Sequence, residues 1–281
     1  MSKAKVAVVT DSTSCLTPEL IEKYNIHVIP LLVNWDEESL KDGIDITPDQ
    51  FYSRLSKSSS MPATSQPSAG EFVELYEKVA ESAESIVSIH ISSELSGTYQ
   101  SALAAQGMVE VPVELIDSRT TATPLGMMVI EAAKAVANGA TAAEAGDAAK
   151  ALIGNASIYF VVDTLEFLHR GGRIGGARRM IGSILNVKPI LTIDDGKVES
   201  HASVRTKKKA MKAMIDTVTE KLGGKSPKYI GVIHSSAADE AAKLSSMMET
   251  QFGSAEVIEA DLTPVIGTHV GPRCVGLAYS L

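Results

Sequence analysis

The chain has 281 residues, 44% of them hydrophobic and 21% charged, with a formal net charge of −8. This is the balance of an ordinary folded protein long enough for two domains, and its acidity argues against a nucleic-acid binder. No apolar run approaches the roughly 18 residues of a membrane span, and the opening MSKAKVAVVTDS looks like a first strand rather than a leader, so the expected location is cytoplasmic.

Strand-like and helical segments alternate along the chain. Segments 5–10 and 27–33 read as strands around a helix at 18–24; helices follow at 48–57 and 70–84. A strand at 86–91 breaks into a run of hydroxyls before a helix over 97–108. A strand at 113–117 leads to two Ala-rich helices, 125–138 and 141–153, expected to form an antiparallel pair. A second series opens with a strand at 158–162, a short helix at 165–170 and another at 177–185. Strands 189–193 and 198–204 flank the turn signal DDG. Helix 206–222 places Ala210, Met214, Val218 and Leu222 on one face, and strands at 229–234, 255–260 and 275–279 surround a helix at 237–251. The expectation is an α/β protein of two α/β domains, 1–155 and 156–281, with a ligand cleft between them.

Several standard machines are excluded. GGKS at 223–226 lacks the upstream glycine of a phosphate-binding loop and follows a helix instead of a strand. GGRIGG has the wrong spacing for a dinucleotide fingerprint, no G-x-S-x-G elbow exists, and the six histidines show no metal-ligand spacing. The two cysteines, Cys15 and Cys274, make no disulfide framework and read as buried thiols.

What remains is a set of hydroxyl-rich loops at strand ends or helix starts: TDSTS, MPATSQPSAGEF, SSELSGT and DSRTTATPLG. Near the C-terminus, PVIGTHVGP sets His269 between glycines. In α/β sheets such loops gather on one edge, where ligands bind. One hydroxyl suffices to cap a helix, and SSELSGT has four, with Gly97 placed to let backbone approach an anion. Two acid-free basic islands, 167–193 and 200–215, raise an anionic ligand or an acidic partner; Lys207 to Lys212 of the second read rather as the wet face of a helix, whereas the Gly-interleaved arginines of the first do not. Hydroxyls, one histidine and nearby arginines suit holding a carboxylate or phosphate better than breaking a bond.

The motifs VTDSTS, TSQPS, SSELSGTYQSA, FVVDTLEFLHRGGRI, LNVKPILTIDDGKV, VRTKKKA and PVIGTHVGP, in this order along the whole chain, resemble the DegV family. The resemblance implies one long-chain fatty acid bound between the two domains, no cofactor, and no catalysis by this chain alone. A separate fatty acid kinase subunit would phosphorylate the presented carboxylate from ATP. It further implies that Thr64, Ser96 and His269 bond the carboxylate with support from Arg205, that Arg173 faces the kinase, and that contact with a membrane surface is transient. The sequence departs from the family pattern at Cys15, at Thr123–Pro124, where the tail pocket is expected to change, and at Arg273, expected beside His269 at the cleft mouth. The alternative is a stand-alone enzyme acting on an acyl or phosphate substrate, with Ser96 as nucleophile and His269 as base.

Overall fold

The computed structural model describes residues 4–181 and 187–281. In chain order the first elements are β1 (Ala7–Asp11), α1 (Pro18–Tyr24), β2 (Ile26–Ile29), β3 (Leu32–Trp35), β4 (Glu38–Lys41), α2 (Pro48–Leu55) and β5 (Ala63–Ser65). They continue through α3 (Ala69–Ala80), β6 (Ile86–His90), α4 (Thr98–Gln106), β7 (Val113–Asp117), α5 (Ala122–Ala137) and α6 (Ala142–Lys150). The second series is β8 (Ala156–Val161), α7 (Glu166–Arg170), β9 (Lys188–Asp194), β10 (Lys197–Val204), α8 (Lys207–Leu222) and β11 (Tyr229–His234). It ends with α9 (Ala238–Gln251), β12 (Glu256–Asp261), α10 (Pro264–Val270) and β13 (Val275–Ser280).

Three sheets result. The first is parallel throughout, in the order β2-β1-β6-β7. Its strands are buried on both faces: Val9 and Ile86 join the cluster of α3 and α4, while Val8, Val87 and Ile89 join that of α5 and α6. The second has six strands, β10-β9-β8-β13-β11-β12, with only β11 and β12 parallel. Its period-2 alternation separates two jobs: Tyr159, Val161, Val232 and Leu277 pack under α8 and α9, whereas Ile158, Phe160 and Ile233 face the other way. On α8 the stripe Ala210, Met214, Val218 and Leu222 is buried as its spacing requires.

Helix α5 lies between these two sheets, touching β1 and β6 on one side and β8, β11 and β13 on the other. It is accordingly buried almost all round. Close approach is built in: a Cβ at Gly126 would fall 2.7 Å from the Ser14 carbonyl, and one at Gly231 would fall 2.5 Å from Thr123 Oγ1. Capping boxes at Thr47, Ser68 and Thr141 start α2, α3 and α6.

The differences from the sequence reading have local causes. The expected strand 27–33 is two strands, parted at Pro30, which has no N–H to give a ladder. The second half turns into a small antiparallel sheet, β4-β3-β5, that the sequence reading missed. Helix α5 begins at Ala122, not Leu125, because a proline in the first helical turn forfeits no intrahelical bond. Gly175–Met180 is a 3₁₀ segment, and the rest of the helix expected over 177–185 falls largely outside the described residues. The segment PVIGTHV, read as a loop, is helix α10.

Candidate functional site

A cavity of about 780 Å3, counting its opening to solvent, lies where the strand-end loops of the first sheet meet the inner face of the second. Its walls are mostly apolar: Ile91 and Leu95 after β6, Phe160 on β8, Ile193 and Val198 on β9 and β10, and Ile233 on β11. Polar side chains join them: Thr64 on β5, Ser96 before α4, Arg173 after α7 and His269 on α10.

Thr64 and His269 meet directly. Thr64 Oγ1 lies 2.8 Å from His269 Nε2, joining the small sheet to α10. Burial, assisted by the charge of Arg173, pushes the imidazole down to about 4, so the ring is neutral at neutral pH. A neutral ring carries one proton, and the buried Nδ1 has no partner among the described residues. With the proton on Nε2, the ring donates to Thr64 and leaves the threonine O–H free for the cavity. Gly171 closes over the other side: a Cβ there would stand 2.2 Å from His269 Nδ1.

Arg173, expected to face a kinase, lines the cavity. Its Nε donates to the Leu95 carbonyl at 3.0 Å and one terminal nitrogen to the Gly171 carbonyl at 2.8 Å. A guanidinium has five N–H groups, so donors remain for an anion. Arg205, expected to support the head group, is exposed between β10 and α8 and does not line the cavity. The structure thus brings Arg173, and not Arg205, to the cavity.

The hydroxyls of SSELSGT have separate roles. Ser92 Oγ donates to the Gly196 carbonyl at 2.9 Å, and Ser93 Oγ to Asp117 at 2.6 Å, so both tether the loop. Ser96 Oγ lies 2.9 Å from Thr98 Oγ1 and accepts from the Thr98 N–H, while the cap position of α4 is Gly97, with no side-chain bond. Gly97 is needed for another neighbour: a Cβ there would be 2.9 Å from the Gln66 side chain, which also lines the cavity. Ser96 and His269 show no hydrogen bond to each other, so the nucleophile–base pair of the enzyme alternative is not assembled.

The three departures settle elsewhere. Cys15, at φ 50°, ends a 3₁₀ turn and is buried, its thiol pushed up to about 12 by burial; Cys274 is likewise buried and free. Thr123 and Pro124 are buried in the first turn of α5, and the cavity is lined instead by the preceding Thr121 and Ala122. Arg273 points away to Asp163 and Glu240 on the surface. Sequence reading missed Gln66, Gly171 and Thr13, another cavity residue; Pro264 and Gly271 around α10 were the helix-boundary signals that would have placed His269. Among the described residues no group of three His, Cys, Asp or Glu is placed to hold a metal ion, and no helix is long and apolar enough to cross a membrane.

A family model described as "Uncharacterised protein, DegV family" matches residues 5–281. A DegV domain-containing protein of Clostridium perfringens is 39% identical over 98% of both chains. The crystal structure of DegV from Bacillus subtilis, described as a fatty acid binding protein, superposes with a TM-score of 0.92 at 35% identity, covering 99% of this chain and 100% of that one. A stearic acid-binding protein from Eubacterium ventriosum superposes with a TM-score of 0.91 at 25% identity, covering 100% and 98%. The chain belongs to the DegV family.

Proposed function

We propose that this protein is a long-chain fatty-acid carrier that presents the bound carboxylate to a separate kinase subunit for conversion to an acyl phosphate. The observation that carries the reading is a cavity with mostly apolar walls whose polar side chains include Thr64, Ser96, His269 and Arg173. A buried carboxylate is costly unless its lone pairs are met, and two hydroxyls beside a guanidinium meet them with charge-assisted bonds. Neutral His269 acts through Thr64, whose proton it frees. The acyl tail contributes about 0.8 kcal/mol per buried methylene, which favours long chains. We take residues 1–155 and 156–281 as two domains, with the cavity at their junction. The docking role passes from Arg173 to the exposed cations Arg205, Lys208 and Lys209, which suit an acidic partner surface.

Native mass spectrometry of the purified protein tests the carrier reading: one co-purified long-chain fatty acid per chain is expected. Incubated alone with ATP and fatty acid, the protein should form no acyl phosphate, and a cognate kinase subunit should start turnover. Turnover of an ester by the chain alone, abolished in Ser96→Ala, would establish the enzyme alternative instead.

A further inference from the structure

The Thr64–His269 bond crosses a seam between the small sheet and α10, and two other bonds close that seam. Tyr52 OH donates to the Leu262 carbonyl at 3.2 Å, and the Val265 N–H donates to Asp42 Oδ1 at 3.1 Å. Asp42 follows β4, in the sheet whose β5 carries Thr64; Val265 lies in the first turn of the helix that carries His269. Thr263 holds the capping position of α10, yet its hydroxyl makes no cap bond. Asp42 supplies the cap from across the seam.

The other half of this carboxyl group is unusual. Asp42 is only 3% exposed, and among the described residues neither its buried Oδ2 nor Thr263 Oγ1 has a hydrogen-bond partner. The Ser12 and Thr263 hydroxyls lie near enough to Asp42 to favour its ionised form, although neither makes a well-aligned bond to Oδ2. An ionised carboxylate here would hold a full charge in a buried site with the Val265 N–H as its one well-formed donor among the described residues. A proton on Oδ2 removes that charge and lets the acid itself donate to Thr263 Oγ1.

We propose that Asp42 is a positioning residue for the Thr64–His269 pair: a neutral carboxylic acid that fixes α10 against the small sheet, and whose ionisation loosens the seam and weakens anion binding. The anion-binding half rests on the fatty-acid reading above. Burial pushes the Asp42 carboxyl up to about 6, against hydrogen bonds from Ser12, Val265 and Thr263 that pull it down. Asp11 at the end of β1 opposes ionisation. The buried Cys15 thiol adjoins both and also senses Asp261 at the end of β12. Glu19, Glu259 and Asp261 line the same groove, and among the described residues no Lys or Arg does.

The sign follows from linkage. A carboxyl raised in the folded state binds its proton more tightly there, so it favours the fold at low pH and that gain is lost as pH rises through about 6. Asp42→Asn keeps the acceptor for Val265 and gives a permanent donor to Thr263, so it mimics the neutral acid. The test compares ligand-free melting of wild type and Asp42→Asn from about pH 5 to about pH 7.5, where the shared histidines cancel in the difference. It also measures affinity for hexadecanesulfonate, a long-chain anion that stays charged throughout. Wild type should lose melting temperature relative to Asp42→Asn as pH rises. It should bind the sulfonate about fivefold or more weakly at the upper end, the low end of ordinary linked coupling, while Asp42→Asn binds equally at both. Parallel melting curves, or one shared affinity slope, would overturn the proposal. Diverging melting curves with no sulfonate bound by either protein would sustain Asp42 in the seam and overturn the anion-binding reading. Carbon-detected NMR of wild type needs no variant: Asp42 titrating near 6 supports the proposal, and titration at the ordinary carboxylate value defeats it.

Discussion

Two buried histidines of this protein are treated in opposite ways. His90, at the end of β6, is fully enclosed and fully partnered: Nδ1 lies 3.0 Å from Asp11 Oδ2 and Nε2 lies 2.7 Å from Ser88 Oγ, which in turn meets Tyr76 OH at 2.9 Å. Asp11 also accepts from the Thr13 N–H and hydroxyl and from the Ile91 N–H, so every group in the cluster has its partner. His269 has one bond, to Thr64, and an unpartnered Nδ1 beside Gly171. A closed network fixes the loops of β1 and β6 and has nothing left to offer a ligand. The open one keeps a hydroxyl proton and guanidinium donors in reserve, facing an apolar cavity. Incompleteness distinguishes the site from the scaffold.

Breaking the closed network should have the largest effect. Asp11→Ala leaves His90 and two backbone N–H groups without their acceptor, and each buried donor left unsatisfied costs about 1–3 kcal/mol. Denaturant unfolding should show that loss, and a stability within error of wild type would mean that the cluster holds nothing together.

The open histidine should reveal itself through pH. Its ring is held down to about 4 in the folded protein, below the ordinary 6.5, so the unfolded chain binds a proton that the folded one does not. Stability should therefore fall as pH drops from about 6.5 toward about 4, by up to about 3 kcal/mol. In His269→Gln this part of the acid loss should vanish; an unchanged acid limb would show that His269 is not desolvated.

Smaller effects are expected at the head group. Thr64→Val and Ser96→Ala each remove a donor to a charged acceptor, about 1.5–3 kcal/mol of fatty-acid affinity apiece. Ser96→Ala should leave the unfolding midpoint nearly unmoved, whereas Thr64→Val also strips buried His269 Nε2 of its partner and should lower the midpoint modestly. Calorimetry that finds equal affinity in the double variant would place the carboxylate elsewhere. Smallest of all, Arg205→Ala should change stability and lipid affinity by no more than about 0.5 kcal/mol, as expected for an exposed residue away from the cavity. A clear loss of lipid there would return Arg205 to the site.

The same contrast explains what could be read from sequence. The α8 stripe from Ala210 to Leu222 was legible because a helix face repeats its spacing over several turns. The hairpin at Asp195–Gly196 was legible because both residues adopt positive φ, which DDG favours. Thr64, Ser96 and His269 could be named from their motifs, yet the bond between Thr64 and His269 joins residues 205 apart and appears only once α10 packs on the small sheet. That sheet was hidden because its strands are three or four residues long, too short for a period. The choice between Arg173 and Arg205 was beyond sequence for a similar reason. Both lie in basic islands, and only the carbonyls of Leu95 and Gly171 aim Arg173 inward.

The central claim is that a fatty-acid carboxylate sits against Thr64, Ser96 and Arg173, with its tail in the apolar cavity. Carbon NMR of carboxyl-labelled palmitate bound to the protein tests it most directly. The account predicts a single bound carboxyl resonance that stays ionised well below the ordinary carboxylate value and shifts in both Thr64→Val and Arg173→Ala. A bound resonance that titrates normally and ignores both replacements would contradict it.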